Sequence, residues 1–327
     1  GEGSGEQTEP GVITAGEWND LDNWSFWQDL LKVEDYEKMP SYWSIFNNNR
    51  ISVRVKGADS APVIDATVEL IRGGVAIFSS KTDNQGRAEL WADLFQKNAS
   101  VDFSLLSLSV NNGAKRVENV KPYQEGINEI TMTPLAAPNN MEIAFVVDAT
   151  GSMGDELEYM KTELVDVIAS IKRENPNLQL STSSVFYRDE GDEYVTRVSN
   201  FTANYNATID FIKKQKADGG GDYPEAVHTA MDKAVNELQW SAEARGRLLF
   251  LVLDAPPHYT TNVVNDLHVS LAKAAQKGIK IIPIAASGVN KETEFLLRFM
   301  SMTTNGTYVF VTDHSGIGNP HLEPSVG

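Results

Sequence analysis

The sequence contains no cysteine, which excludes disulfide bridges and thiolate metal sites. It has no uninterrupted apolar run of about eighteen residues, so no stretch is long enough to span a bilayer as a helix. Cations are scarce: 28 Lys and Arg face 45 Asp and Glu, a net charge of -17. A field of that sign repels phosphate backbones, and nucleic acid is not expected as a partner. Histidine is also rare, and the five present, His228, His258, His268, His314 and His321, show neither the H-x-x-x-H nor the H-x-H spacing of metal sites. Ser152 lacks the G-x-S-x-G setting of a nucleophile elbow, and Gly219 to Gly221 lack the lysine of a phosphate loop.

With 327 residues and an apolar share of 41%, the chain has the length for about two domains with ordinary cores. Residues 1–44 form a first region. Gly1 to Pro10 is polar and acidic, the composition of a flexible tether. Four of the six tryptophans follow, Trp18, Trp24, Trp27 and Trp43. A short helix is expected between Asp20 and Lys32, with Leu21, Trp24, Leu30 and Leu31 turned inward. Large rings most often serve as packing area, so the indoles read as cover for a domain interface or a sheet edge; a sugar-stacking platform would need them exposed. Asp20 and Asp22 lack the glycine-bearing loop and bidentate glutamate of a helix-loop-helix calcium site.

From 45 to 135 the apolar period is two. Ile51, Val53 and Val55 alternate with Ser52, Arg54 and Lys56. Val68 and Leu70, Ala76 and Phe78, then Ala88 and Leu90 follow, parted by Gly73-Gly74 and Asp83-Asn84-Gln85-Gly86. Many short strands with turn signals predict a β-sandwich. Asp83 reads as a turn residue bonding its own backbone rather than as a catalyst. Residues 135–140, with Pro134 and Pro138 nearby, read as a linker.

Residues 139–316 alternate strand and helix. Strands are expected at 142–148, 178–187, 194–199, 247–253, 279–285 and 307–311, and helices at 155–173, 205–216, 223–238, 263–277 and 291–302. Near-continuous apolar runs at 248–253 and 279–285 mark strands buried on both faces. The pattern predicts a doubly wound, mostly parallel α/β sheet, and the chain as a whole is expected to be multidomain, with residues 317–327 as a tail.

The most informative stretch ends the first of those strands. Asp148 is followed at every second position by a hydroxyl, Thr150 and Ser152, and then by a helix with Leu157, Met160, Leu164 and Ile168 at steps of three and four. Three hard oxygens on one loop above a helix N-terminus can hold an anion or a metal-bound carboxylate. Asp254, after the apolar run Leu251-Val-Leu, ends another strand. The blander reading is that Asp148 and Asp254 cap helices and close strands without an ion. Glu190, Asp192 and Glu193 read as a solvated hairpin tip, and His258, on the loop after Asp254, is placed near the site.

Asp148-Ala-Thr-Gly-Ser152 resembles the D-x-S/T-x-S segment of the metal-ion-dependent adhesion site of von Willebrand factor type A domains. Gly219-Gly-Gly-Asp222-Tyr-Pro-Glu225 is similar to the second loop of a subgroup with G-G-G-D-x-P-E, Leu251-Val-Leu-Asp254 to the third, and Tyr187-Arg188-Asp189 fits the same subgroup. The resemblance implies Thr150 and Ser152 as direct ligands, Asp148 and Asp254 completing or orienting the shell, and Asp222 in place of the usual threonine. It further implies a divalent cation (Mg²⁺, Ca²⁺ or Mn²⁺), a non-enzymatic binding or adhesion role, and a protein or glycan partner at the metal face. A third carboxylate would leave the site net negative, favouring calcium and weakening capture of an acidic side chain. The alternatives are a hydrolase with Asp222 or Asp189 as base and a structural subunit.

Pro62-Val-Ile-Asp-Ala-Thr-Val-Glu-Leu70 with the Thr82-Asp-Asn-Gln-Gly86 turn resembles the carboxypeptidase regulatory-like sandwich, of immunoglobulin or transthyretin-like type, which implies a spacer. The acidic tether resembles that of bacterial surface lipoproteins. This implies a lipid anchor upstream of Gly1 and a place at the cell surface or in the periplasm, on an outer-membrane lipoprotein.

Overall fold

A computed structural model of the chain describes residues 15–97, 100–221, 224–286, 288–311 and 325–326. The tether, most of the C-terminal tail, His314, His321 and Asp222 lie outside the described residues. The chain opens with strand β1 (Ala15–Trp18) and two short helices, α1 (Trp24–Leu30) and α2 (Met39–Trp43). Seven strands follow: β2 (Arg50–Lys56), β3 (Thr67–Arg72), β4 (Val75–Lys81), β5 (Arg87–Trp91), β6 (Leu106–Val110), β7 (Lys115–Val117) and β8 (Asn128–Thr131).

These seven make two small sheets, β5-β2-β8 and β4-β3-β6-β7. Gly73 and Gly74, both at positive φ (59° and 75°), close the two-residue turn between β3 and β4, because a turn that follows the strand twist needs left-handed backbone at both positions. The alternation expected from sequence is visible in Val53, Val55, Ala88 and Leu90 of one sheet and Val68, Leu70, Leu108 and Val110 of the other, all buried in one cluster. The polar side of β2 departs from it. Arg50 and Ser52 are buried too, bonded to Glu89 at 2.8–3.0 Å. The N-terminal segment covers this face: Arg50 donates to Leu21 O and lies against the rings of Trp24 and Tyr123.

The second half runs β9 (Asn140–Asp148), α3 (Gly154–Glu174), β10 (Gln179–Tyr187), β11 (Thr196–Thr202), α4 (Tyr205–Lys214), α5 (Val227–Asp232, continued by a π-helical turn), β12 (Gly246–Leu253), α6 (Thr261–Lys277), β13 (Ile279–Ala285), α7 (Lys291–Thr303) and β14 (Tyr308–Val311). The sheet order is β1-β14-β13-β12-β9-β10-β11. Five strands are parallel, and β11 and β1 are antiparallel edges. On one face Ile143, Phe145 and Val147 pack against Leu157, Leu164 and Ile168 of α3; on the other, Ala144, Val146, Leu249 and Leu251 meet residues of α5, α6 and α7. Helices thus cover both faces, as the apolar runs required. Side-chain caps start α6 (Thr260 to Val263 N) and α7 (Asn290 to Thr293 N), and Gly278 ends α6 at φ 73°. Among the described residues no helix is long and apolar enough to cross a membrane.

The second face of the α/β sheet and the two small sheets share one apolar cluster, running from Leu21 through Val53 and Leu108 to Phe299. The indoles make this junction. Trp27 and Trp43 are each only 1% exposed; Trp43 Nε1 donates to Glu292 O at 2.7 Å and Trp91 Nε1 to Thr303 O, bracketing α7. Such burial agrees with packing area and removes these rings as a sugar platform. Asp20 is paired with the buried Arg298 of α7 at 2.6 Å.

Candidate metal centre

β9 and β12 lie side by side, but β9 continues through α3 to β10 on one flank, while β12 continues through α6 to β13 on the other. A crevice opens at the carboxyl ends of two strands whose connections diverge in this way. Asp148 is the last residue of β9, and Asp254 follows the last residue of β12. Their side chains therefore meet across the crevice.

Asp148 is fully buried and organises its own loop. Its Oδ1 accepts hydrogen bonds from Thr150 N at 2.8 Å and from Thr150 Oγ1, the short polar turn that an aspartate favours. Thr150 Oγ1 lies 3.2 Å from Ser152 Oγ, which in turn donates to Asp254 Oδ1 at 3.2 Å. Two carboxylates and two hydroxyls thus form one chain of oxygens, with Asp148, Thr150 and Asp254 buried and Ser152 exposed at the mouth. The structure brings four of the five expected ligands together; the fifth, Asp222, lies outside the described residues.

The loop containing Gly219 and Gly220 docks on this chain through backbone. Gly151 N donates to Gly219 O at 3.0 Å and Asp218 N to Ala149 O at 3.0 Å. Both glycines sit at positive φ, and a Cβ on Gly220 would stand 2.9 Å from Thr150 Cβ and 3.0 Å from Glu225 Oε1. Only glycine permits that approach. Arg188, at the end of β10, holds the same junction from below, donating to Ala149 O and Lys216 O at 3.1 and 2.8 Å.

The acidic turn after it corrects one expectation. Asp192 is not a solvated tip residue: it accepts from Asp189 N at 3.0 Å and Gly220 N at 2.9 Å, tying the hairpin to the glycine loop. His258 does lie beside the site, with Nε2 2.7 Å from Asp189 Oδ1. The reading from sequence missed Glu225. It ends the G-G-G-D-x-P-E segment, is 2% exposed, and its carboxyl is pushed up to about 9 by burial and by the charges of Asp148, Asp189, Asp254 and Asp192. Burial and the charge of Asp254 push Asp148 well above the ordinary carboxylate range, and burial raises Asp254 as well. Carboxyls crowded this way resist ionising together unless a cation joins them.

The donor set suits a hard divalent ion. Asp148 Oδ2, Glu225 Oε2 and the Tyr187 hydroxyl are buried with no hydrogen-bond partner among the described residues, which is costly for polar atoms in a closed interior. The ligand atoms linked here, from Asp148, Thr150, Ser152 and Asp254, are all oxygens, as Mg²⁺, Ca²⁺ and Mn²⁺ prefer. The hydroxyls of Thr150 and Ser152 stand between the two aspartates in that set.

A family profile described as von Willebrand factor type A domain matches residues 142–320. Over 122 residues the chain is 32% identical to a putative ariadne-like RING finger protein of Acanthamoeba polyphaga mimivirus, a span of 37% of this chain and 12% of that protein. Over 155 residues it is 26% identical to an alpha-protein kinase of Dictyostelium discoideum, 46% of this chain and 24% of the kinase. The matches cover a quarter or less of either relative's length.

Proposed function

This chain belongs to the von Willebrand factor type A domain family, and from that premise we propose that it is a non-enzymatic binding module whose partner docks through a divalent cation. Thr150 and Ser152 supply direct ligands; Asp148 and Asp254 complete or orient the shell, and Asp222 joins them from the second loop. The bound ion supplies a Lewis-acidic position toward which a protein or glycan partner turns an oxygen. One observation carries this reading: Asp148, Thr150, Ser152 and Asp254, from two loops more than a hundred residues apart, are linked oxygen to oxygen at the strand ends.

The two small sheets, with the sequence pattern at 62–70 and 82–86, act in this proposal as a spacer of the carboxypeptidase regulatory-like kind. A cell-surface or periplasmic location, on a bacterial lipoprotein, belongs to the same proposal and rests on resemblance of the acidic tether. A hydrolase reading has less support. Ser152, an exposed hydroxyl at the mouth, donates to the Asp254 carboxylate and not to an imidazole, whereas His258 is bonded to Asp189.

Calorimetric titration of Mg²⁺, Ca²⁺ and Mn²⁺ into metal-stripped protein tests the metal. The wild type is expected to take up one ion and Asp148→Ala none. A wild type that binds none of the three would end the metal-dependent reading.

A further inference from the structure

We propose that Glu225 is a further carboxylate of the metal face, beside the proposed ligand set, and that it acts on the ion through its water shell. The inference rests on the metal-dependent reading above and adds to it a residue outside its ligand set. Glu225 is almost wholly buried, yet its Oε2 has no hydrogen-bond partner among the described residues. A buried carboxylate oxygen is ordinarily matched by a donor. Asp148 Oδ2 is left in the same condition, as is the hydroxyl of Tyr187, the residue paired with Asp148 across β9 and β10. Asp148 and Glu225 thus each leave one buried oxygen unmatched among the described residues, and a cation-bound water has two hydrogens to give.

The backbone holds Glu225 in place for this role. Its N–H donates to Pro256 O at 2.9 Å, two residues beyond Asp254, so the two acids are fixed to one loop pair. Its Oε1 and the Thr150 side chain close on the same point, the place a Cβ of Gly220 would fill. Glu225 therefore borders Thr150, a direct ligand in the reading above.

Titration of Mg²⁺, Ca²⁺ and Mn²⁺ chlorides into metal-stripped wild type, Glu225→Gln and Glu225→Asp, with melting curves of each metal-free protein, decides the matter. Glu225→Gln is expected to weaken ion binding about tenfold or more, the usual reach of residues that orient a metal's shell. Glu225→Asp should recover part of the loss. The metal-free Glu225→Gln protein should melt no lower than wild type, since the amide keeps the shape of the acid it replaces. Wild-type affinity in Glu225→Gln overturns the proposal, as does a fall in metal-free melting that accompanies the weaker binding. It is equally overturned if Asp222→Asn shows the loss and Glu225→Gln does not. If the wild type itself binds no ion, the metal-dependent reading has failed; if the wild type binds and only the Glu225 arm is flat, that reading stands and this one falls.

Discussion

At Gly220 the backbone sits at φ 75°, with Thr150 on one side and Glu225 on the other. A methyl group there meets both a left-handed conformation and two side chains at 2.9–3.0 Å. Gly220→Ala is therefore expected to lose about 1 to 3 kcal/mol of stability, and ion affinity with it, because Thr150 must give way. Urea unfolding and metal titration of the same variant check both; unchanged values would show that the loop relaxes freely. The oxygens that meet at the strand ends are themselves legible in sequence. An aspartate at the end of an apolar run followed by alternating hydroxyls is a local pattern, and Asp254 after Leu251-Val-Leu is another. Glu225 is not legible in that way. Its importance lies in burial beside Asp148 and in an unmatched oxygen, neither of which neighbouring residues encode.

Helix α7 shows the same limit at the scale of an element. Its extent, 291–303, is close to the 291–302 that apolar periodicity predicts, since Phe295, Phe299 and Met302 recur at helical spacing. What surrounds it is not periodic. Arg298 is 0% exposed and bonded to Asp20 from the N-terminal segment at 2.6 and 2.9 Å and to Glu294 at 2.9 Å. Partners 278 positions apart leave no trace in a local pattern, and from sequence Asp20 shows only that it lacks a calcium loop. Asp20→Ala leaves the buried guanidinium with one acid instead of two. A loss of about 3 to 5 kcal/mol is expected, as for a broken buried ion pair, measured as a lower urea midpoint. A drop below about 1 kcal/mol, the scale of an exposed pair, would mean that solvent reaches Arg298 and that the N-terminal segment is not fixed on α7.

Across the whole molecule, the small sheets are tied to the α/β sheet by charge as well as by the shared core. Asp83, the turn residue between β4 and β5, bonds Lys280 of β13 at 3.1 Å and Asn305 at 3.0 Å, while its other oxygen accepts from Gln85 N and Arg87 N. Its role as a turn former was readable in T-D-x-x-G; its reach across to Lys280 was not, because turn chemistry says nothing about what the turn faces. Burial alone would raise its carboxyl, but the Lys280 ammonium and the two amides together hold it below its ordinary 3.8. The sign follows from that direction. An acid whose folded value is depressed adds stability that is complete above its unfolded value and lost as pH falls through the folded one. The stability gap between wild type and Asp83→Ala should therefore be full at pH 5 to 7, on the order of 1 to 3 kcal/mol for hydrogen bonds to a charged group, and should shrink below about pH 4 as the unfolded value is passed. Urea unfolding of both proteins at pH 7, 5 and 3 measures the gap. A gap that stays constant to pH 3 would assign the contribution of Asp83 to its backbone turn alone and remove its ionic tie to Lys280 from the junction between the sheets.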